Sequence, residues 1–226
     1  MRYIQKLETP DFFITDTNGL VLWDEYSDTF EMRTKKRTLK EYILKEEQQY
    51  LCIYCESKIT LSPENSHIEH IKPKDVGRYP QLTFDYFNLV VSCEGKCHNE
   101  EDDNRKYNCG HNKDNNYDEN LFLNPTLVED ISDYFEYETF LENSISKIKI
   151  KESSKDLSKA EYMLNILNLN DENTIITKSR YLTLLKFEND VIAENLTDEQ
   201  IQIWLKEENL PFISLLRYKY PNIINL

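Results

Sequence analysis

The chain has 226 residues, enough for one large domain or two small ones, and its 41 acidic against 27 basic side chains give a formal charge of −14. That charge makes a poor non-specific binder of nucleic acid, because such affinity grows with the number of phosphates neutralised. The four glycines, at 19, 77, 95 and 110, lie too far apart for the loops that cradle ATP or NAD phosphates, which need two or three within a few residues.

No apolar run nears the ~20 residues of a membrane-spanning helix, and charges throughout Met1–Phe13 leave no apolar region for an export signal. The expectation is a cytoplasmic protein with no membrane partner. Aromatic residues at 12% are too abundant for a disordered chain.

Residues 1–50 read as an extended lead-in followed by a helix, since Leu39, Tyr42, Ile43 and Tyr50 recur at helical spacing within 38–50. Arg33, Lys35, Lys36, Arg37 and Lys40 form the one dense basic run. It reads as a solvated helix start, with contact to phosphate as the alternative. From 51 to 120 the pattern turns to short apolar pieces, Pro63, Pro73 and Pro80, which predict compact irregular structure with two short strands, Ile68–Ile71 and Phe87–Val91. The polar stretch Glu94–Asn108 lacks apolar periodicity and is expected to be an exposed insertion.

The third region, 121–226, is expected to be mainly helical. Ser146–Lys151 alternates and should pair with Tyr134–Tyr137 as a hairpin. Ala160, Met163, Leu164 and Leu167 mark one helix, and a second runs from Asn173 to about Glu194. Thr197–Gln200 has the form of a capping box opening the helix of Ile201, Trp204 and Leu205. Pro211 suits the first turn of a last helix that stops before Pro221. Trp204, Phe212 and Leu216 are expected to pack internally. The fold class expected is α+β. Each half of the chain, 1–120 and 121–226, carries −7, so no basic domain is hidden in the total.

All five cysteines (52, 55, 93, 97, 109) and all four histidines (67, 70, 98, 111) fall between 52 and 111. In a reducing compartment such a cluster points to metal rather than disulfides. Cys52-Ile-Tyr-Cys55 puts two thiolates on one tight turn, as tetrahedral zinc favours; Cys93 with either Cys97 or Cys109 would close the site. Between the cysteine pairs lies His67-Ile-Glu-His70-Ile-Lys-Pro73. Hydrolysis of a phosphodiester needs a base for water and a divalent cation to stabilise charge, and Glu69 and His70 have the right types. Neighbours on a regular strand point to opposite faces, so His67 and Glu69, which share a face, form a rival ligand pair. Asn88 could brace the hairpin and orient the imidazole, or simply form a turn.

In this order, Cys52-x-x-Cys55, Glu69-His70-Ile, Asn88-Leu, Ser-Cys93 and Cys109-Gly-His-x-Lys113 resemble the HNH endonucleases with a zinc knuckle. Tyr50–Glu56, His67–Lys74, Tyr79–Asp85 and Leu121–Pro125 are similar, more closely, to the nuclease subunits of Septu-type anti-phage systems, which also occur beside retrons. The likeness covers roughly residues 38–140. It implies a ββα-metal core over 51–120, with structural Zn²⁺ on Cys52, Cys55, Cys93 and Cys109 and a catalytic Mg²⁺ or Mn²⁺. By family role His70 is the general base, Asn88 the brace, Glu69 a metal ligand and His111 the ligand from the helix. Many HNH enzymes place that ligand directly after the cysteine, where this chain has Gly110, so His111 or Asn112 must substitute. Cys97-His98-Asn99 is an alternative to Cys109-Gly110-His111; Cys109 is preferred because Lys113 follows it at the family's spacing and the acids at 100–103 would repel phosphate near Cys97.

The implied function is hydrolysis of DNA within a defence complex. The implied partner is an ABC-type ATPase subunit, joined beside retrons by a reverse transcriptase and its DNA. The alternatives are a zinc-stabilised interaction module that does not cut and a nuclease acting on RNA such as tRNA.

Overall fold

The fold is described from a computed structural model covering residues 1–95, 107–172, 174–207 and 209–224. Cys97, His98 and Asn99, weighed as alternative ligands, lie outside the described residues.

Asp11–Thr17 forms α1 and Phe30–Tyr42 forms α2. The second helix begins eight residues before the periodic stretch because Thr29 caps it, its Oγ accepting from the Met32 N–H at 3.1 Å. A π-type turn over Ile43–Glu47 ends the segment.

β1 (Ser66–His70) and β2 (Leu89–Cys93) pair antiparallel, with Ser66 opposite Cys93 and His70 opposite Leu89. Both strands lie about two residues from their expected positions. Phe87 and Asn88 are drawn into a 3₁₀ turn whose cap is Asp85, a carboxylate oxygen accepting from the Phe87 N–H at 2.9 Å. Polar Ser66 joins β1 because its hydroxyl finds the Thr60 carbonyl at 2.5 Å. The outer edge of β2 is covered: Ile53 N–H donates to the Val91 carbonyl at 3.1 Å, and the Gln48 amide brackets Val91 at 2.7 and 2.8 Å. Cys109–Lys113 forms the short α3, which packs against β2.

In the C-terminal region β3 (Phe135–Phe140) and β4 (Ile145–Ile150) make the expected hairpin, Phe135 opposite Ile150. Four helices follow their predicted places: α4 (Leu157–Ile166), α5 (Ile176–Ala193), α6 (Asp198–Lys206) and α7 (Ile213–Lys219). Thr197 and Gln200 form the predicted capping box. Pro211 is not in the first turn of α7. Phe212 adopts a left-handed φ of 52° and donates its N–H to the Glu56 carbonyl at 2.9 Å, so the helix starts one residue later. Pro221 opens a further short helix, α8 (Pro221–Ile224).

One apolar core takes in residues of all three regions, among them Leu39, Tyr54, Val90, Met163, Leu184 and Leu216. Phe212 and Leu216 are buried as expected, and Trp204 packs its ring on Phe187. The fold is α+β, with two two-stranded sheets among the described residues. No described helix is long and apolar enough to cross a membrane.

Candidate functional site

The turn after Leu51 closes tightly. Cys52 N–H donates to Ser57 O at 2.9 Å, Glu56 N–H donates to Cys52 O at 3.0 Å, and Glu56 takes a left-handed φ of 64°. This brings Cys52 and Cys55 together. The hairpin adds Cys93 at the end of β2, and α3 adds Cys109 at its first position. The four sulfurs all lie within 4.8 Å of one another. Cys55 and Cys93 Sγ are 3.8 Å apart, against an edge of about 3.8 Å for a tetrahedron with Zn–S bonds of about 2.3 Å. The donor set and spacing fit zinc, and the four buried cysteines could hold it.

Electrostatics point the same way. Burial disfavours a Cys52 thiolate, yet hydrogen bonds from Cys109, Cys55 and Cys93 hold its pKa well below the ordinary thiol value, while burial and the bond to Cys52 push Cys109 well above it. Four thiolates therefore cannot coexist here without a cation. The Cys93 N–H reaches Cys52 Sγ at 3.3 Å, a backbone donor that favours its charged form. Arg180, 1% exposed, donates from Nη1 to Leu169 O at 2.7 Å and leaves Nη2 without a hydrogen-bond partner. Its charge acts on Cys55 and Cys109, offsetting the net negative charge a zinc tetrathiolate would carry.

A second group sits beside the first. His67, Glu94 and His111 each offer one ligand atom, all within 4.8 Å of one another. His67 Nδ1 is 2.9 Å from Glu94 Oε1, His111 Nε2 is 2.6 Å from Glu94 Oε2, and the two imidazole centroids are 4.4 Å apart. Burial works against a charged His67, but hydrogen bonds to Glu69 and Glu94 push its pKa up to about 9. Burial likewise opposes ionisation of Glu94, and hydrogen bonds from His111 and His67 outweigh it, pulling it down to about 2. The group thus gathers positive charge at its centre, the demand that a bound divalent cation would also meet. His111 is 42% exposed at its side chain, so this group opens to solvent while the cysteines do not.

The other expected residues are placed as follows. Glu69 is not within the His67–Glu94–His111 group: its Oε1 pairs with the buried Lys113 Nζ at 2.8 Å, and its Oε2 lies 3.5 Å from His67 Nε2. Burial raises the Glu69 pKa, but His67 and Lys113 bring it below the usual carboxylate value. Of the expected pair Glu69 and His111, the structure sets His111 within this group and Glu69 at its border. His67 and Glu94 join His111, and Glu69 borders them. Strand alternation is the cause, since His67 and Glu69 share the face toward α3.

His70 takes the opposite face. Its ring meets Trp23 edge-on at 4.6 Å, and its Nε2 lies 3.0 Å from the Thr83 carbonyl. Burial lowers its pKa to about 4 against the raising effect of Thr83, so the ring is neutral at pH 7. With Nε2–H donated to Thr83, the Nδ1 lone pair is left to accept a proton.

Asn88 braces the loop that holds both. Its Oδ1 accepts from the Lys72 N–H at 2.8 Å, and its Nδ2 donates to Lys72 O at 3.0 Å and Leu82 O at 3.2 Å. Asn88→Ala is expected to leave these buried groups unpaired and to destabilise the protein by about 1–3 kcal/mol, measured by urea denaturation.

Glu94 is the residue that sequence reasoning missed, because it was assigned to the polar insertion. The signal was available: Ser92 faces His67, and Glu94, two residues on, falls on the same face. No family model and no curated protein matches the chain.

Proposed function

We propose that this chain is a metal-dependent phosphodiesterase of the HNH type that cuts DNA, acting as the nuclease arm of an anti-phage complex with an ABC-type ATPase. One observation carries the reading. Neighbouring residues on the hairpin and on α3 are divided between a dry sulfur group and an open imidazole–carboxylate group: Cys93 and Cys109 go to one, Glu94 and His111 to the other. Such a division supports one inert ion that holds the fold and one that serves chemistry.

His67, Glu94 and His111 would hold the catalytic cation, with Glu69 beside them. A cation there would stabilise negative charge on the phosphate and on the leaving oxygen. Two imidazoles and one carboxylate suit Mn²⁺ better than Mg²⁺, which prefers all-oxygen shells. By the HNH resemblance His70 is the general base: it lies on the opposite face of β1 from the cation group but at the strand's last position, and its Nδ1 would take the proton of the attacking water while the Thr83 carbonyl holds the opposite nitrogen. Lys113 holds the Glu69 carboxylate and ties α3 to the hairpin by donating to the His70 carbonyl at 3.1 Å.

Gly110 completes the cradle, since a Cβ there would sit 2.8 Å from His67 Nε2 and 2.9 Å from Glu69 Oε2. Gly110→Ala is expected to displace both and weaken Mn²⁺ binding about tenfold, read by calorimetry, with zinc content unchanged.

The reading is tested by plasmid cleavage with the chain purified together with its ATPase partner, activated, and supplied with Mn²⁺ or Mg²⁺. Wild type should nick DNA and the His67→Ala, His111→Ala double variant should not. Equal cleavage by both, or none by wild type, would sink it.

A further inference from the structure

The chain's one dense basic run lies on α2, and the fold brings one of its members to the His70 side of the hairpin. Lys36 Nζ stands 4.4 Å above the Trp23 ring and donates to Ser27 Oγ at 2.8 Å. The same Trp23 ring meets His70 at 4.6 Å. Lys74 follows His70 by four residues, just beyond Pro73. Among the described residues neither lysine has a carboxylate within ion-pair distance, although the protein has 41 acids to supply one.

The geometry points to a phosphate subsite: Lys36 and Lys74, with the Trp23 indole between Lys36 and His70, hold a backbone phosphate of a DNA strand beside the general base. This assignment rests on the phosphodiesterase reading and names the side from which its substrate is gripped.

Three features support it. First, the two lysines repel one another. Burial lowers the Lys36 pKa to about 8, with Asp24 opposing and Lys74 adding to the effect. Lys74 also acts on His70, so the charge of both lysines is felt on this side of the hairpin. A bound phosphate relieves that repulsion. Second, the cation over an indole face is held at a set position rather than swinging in solvent. Third, Arg33, Lys35 and Lys40 of α2 are otherwise engaged. Lys35 pairs with Glu31 and Asp16, Arg33 donates to the Ser27 carbonyl, and Lys40 is enclosed by the carbonyls of Leu61, Ser62 and Ser66. Lys36 differs from these three in being neither paired with a carboxylate nor enclosed by carbonyls, and from the exposed Arg37 in being held over Trp23 on the His70 side.

The test is DNA binding by the full chain without added divalent cation, so that cleavage plays no part. Fluorescence anisotropy of labelled duplex DNA over a salt series gives the slope of log K against log salt. Lys36→Gln and Lys74→Gln are each expected to reduce that slope by about 0.9, and Lys36→Arg to restore it. Zinc content and melting temperature, matched to wild type, show that each variant is folded. Unchanged slopes in folded variants would overturn the subsite while leaving the phosphodiesterase reading intact, since that reading is judged by cleavage. Failure of wild type to bind DNA, or a slope change seen only with an RNA hairpin, would overturn it too.

Discussion

Cys52→Ser is expected to yield a chain with no tightly bound zinc and no cooperative melting transition, where wild type is expected to bind one zinc per molecule. Cys52 lies at the centre of the sulfur group, taking the Cys93 N–H at 3.3 Å and facing Ser92 Oγ at 3.8 Å. Removing one of four thiolates leaves a site that binds zinc far more weakly. Apparent zinc-binding energies in small structural sites run to about 10–16 kcal/mol, as large as the whole stability of a typical domain, about 5–15 kcal/mol. The segment around the knuckle shows why it depends on the metal. It has few regular elements of its own, and Glu56 is buried against the Ser214 N–H at 2.9 Å and the Met1 ammonium at 3.0 Å, so loss of the turn propagates into α7. Atomic absorption and circular dichroism, with a chelator arm on wild type, check the result. A zinc-free Cys52→Ser protein that melts like wild type would remove the structural role assigned to the cysteines.

His70→Gln is expected to lower DNA cleavage by the activated complex about 10²–10⁴-fold, the usual contribution of a general base. Glutamine is chosen because its amide can still donate to the Thr83 carbonyl, so the loop keeps its anchor while the proton acceptor is gone. Burial against Trp23 leaves the imidazole neutral at pH 7, and the donor bond to Thr83 leaves Nδ1 as the nitrogen able to take a proton. Zinc content and melting temperature should stay at wild-type values. If cleavage is unchanged in His70→Gln, the base has been misassigned. If wild type and variant alike fail to cut but still join the ATPase, the chain is a zinc-stabilised docking module.

The two results separate two roles that lie a few residues apart. Cysteine loss should abolish folding and function together; histidine loss should abolish chemistry alone. Gly110→Ala should fall between them, affecting the second ion without the first, because its Cβ meets His67 and Glu69 rather than a cysteine.

Much of the architecture can be read from local pattern, because local pattern is enough to produce it. The alternation at 146–151 becomes β4, the box at Thr197 and Gln200 opens α6, and the cysteine spacing at 52 and 55 forms a tight turn. Each depends on residues a few positions apart. Asn88 reads from the sequence as either a brace or a turn former, and it is the structure that gives it hydrogen bonds to Lys72, sixteen residues away, and to Leu82.

Which acids and imidazoles meet beside the cysteines is a different matter. It depends on the pairing of β1 with β2 and on where α3 docks, contacts between residues that are distant along the chain. A shift of one residue in pairing would turn His67 and Glu69 away from α3 and bring His70 toward it. Residue type and spacing therefore specify an α+β chain, a cysteine pair on one tight turn with further cysteines able to close a metal site, and a nearby set of histidines and acids. Only the assembled hairpin and helix select His67, Glu94 and His111 from that set and send Glu69 to Lys113 and His70 to Trp23, because side-chain direction on a strand is decided by register across the sheet, not by neighbours along it.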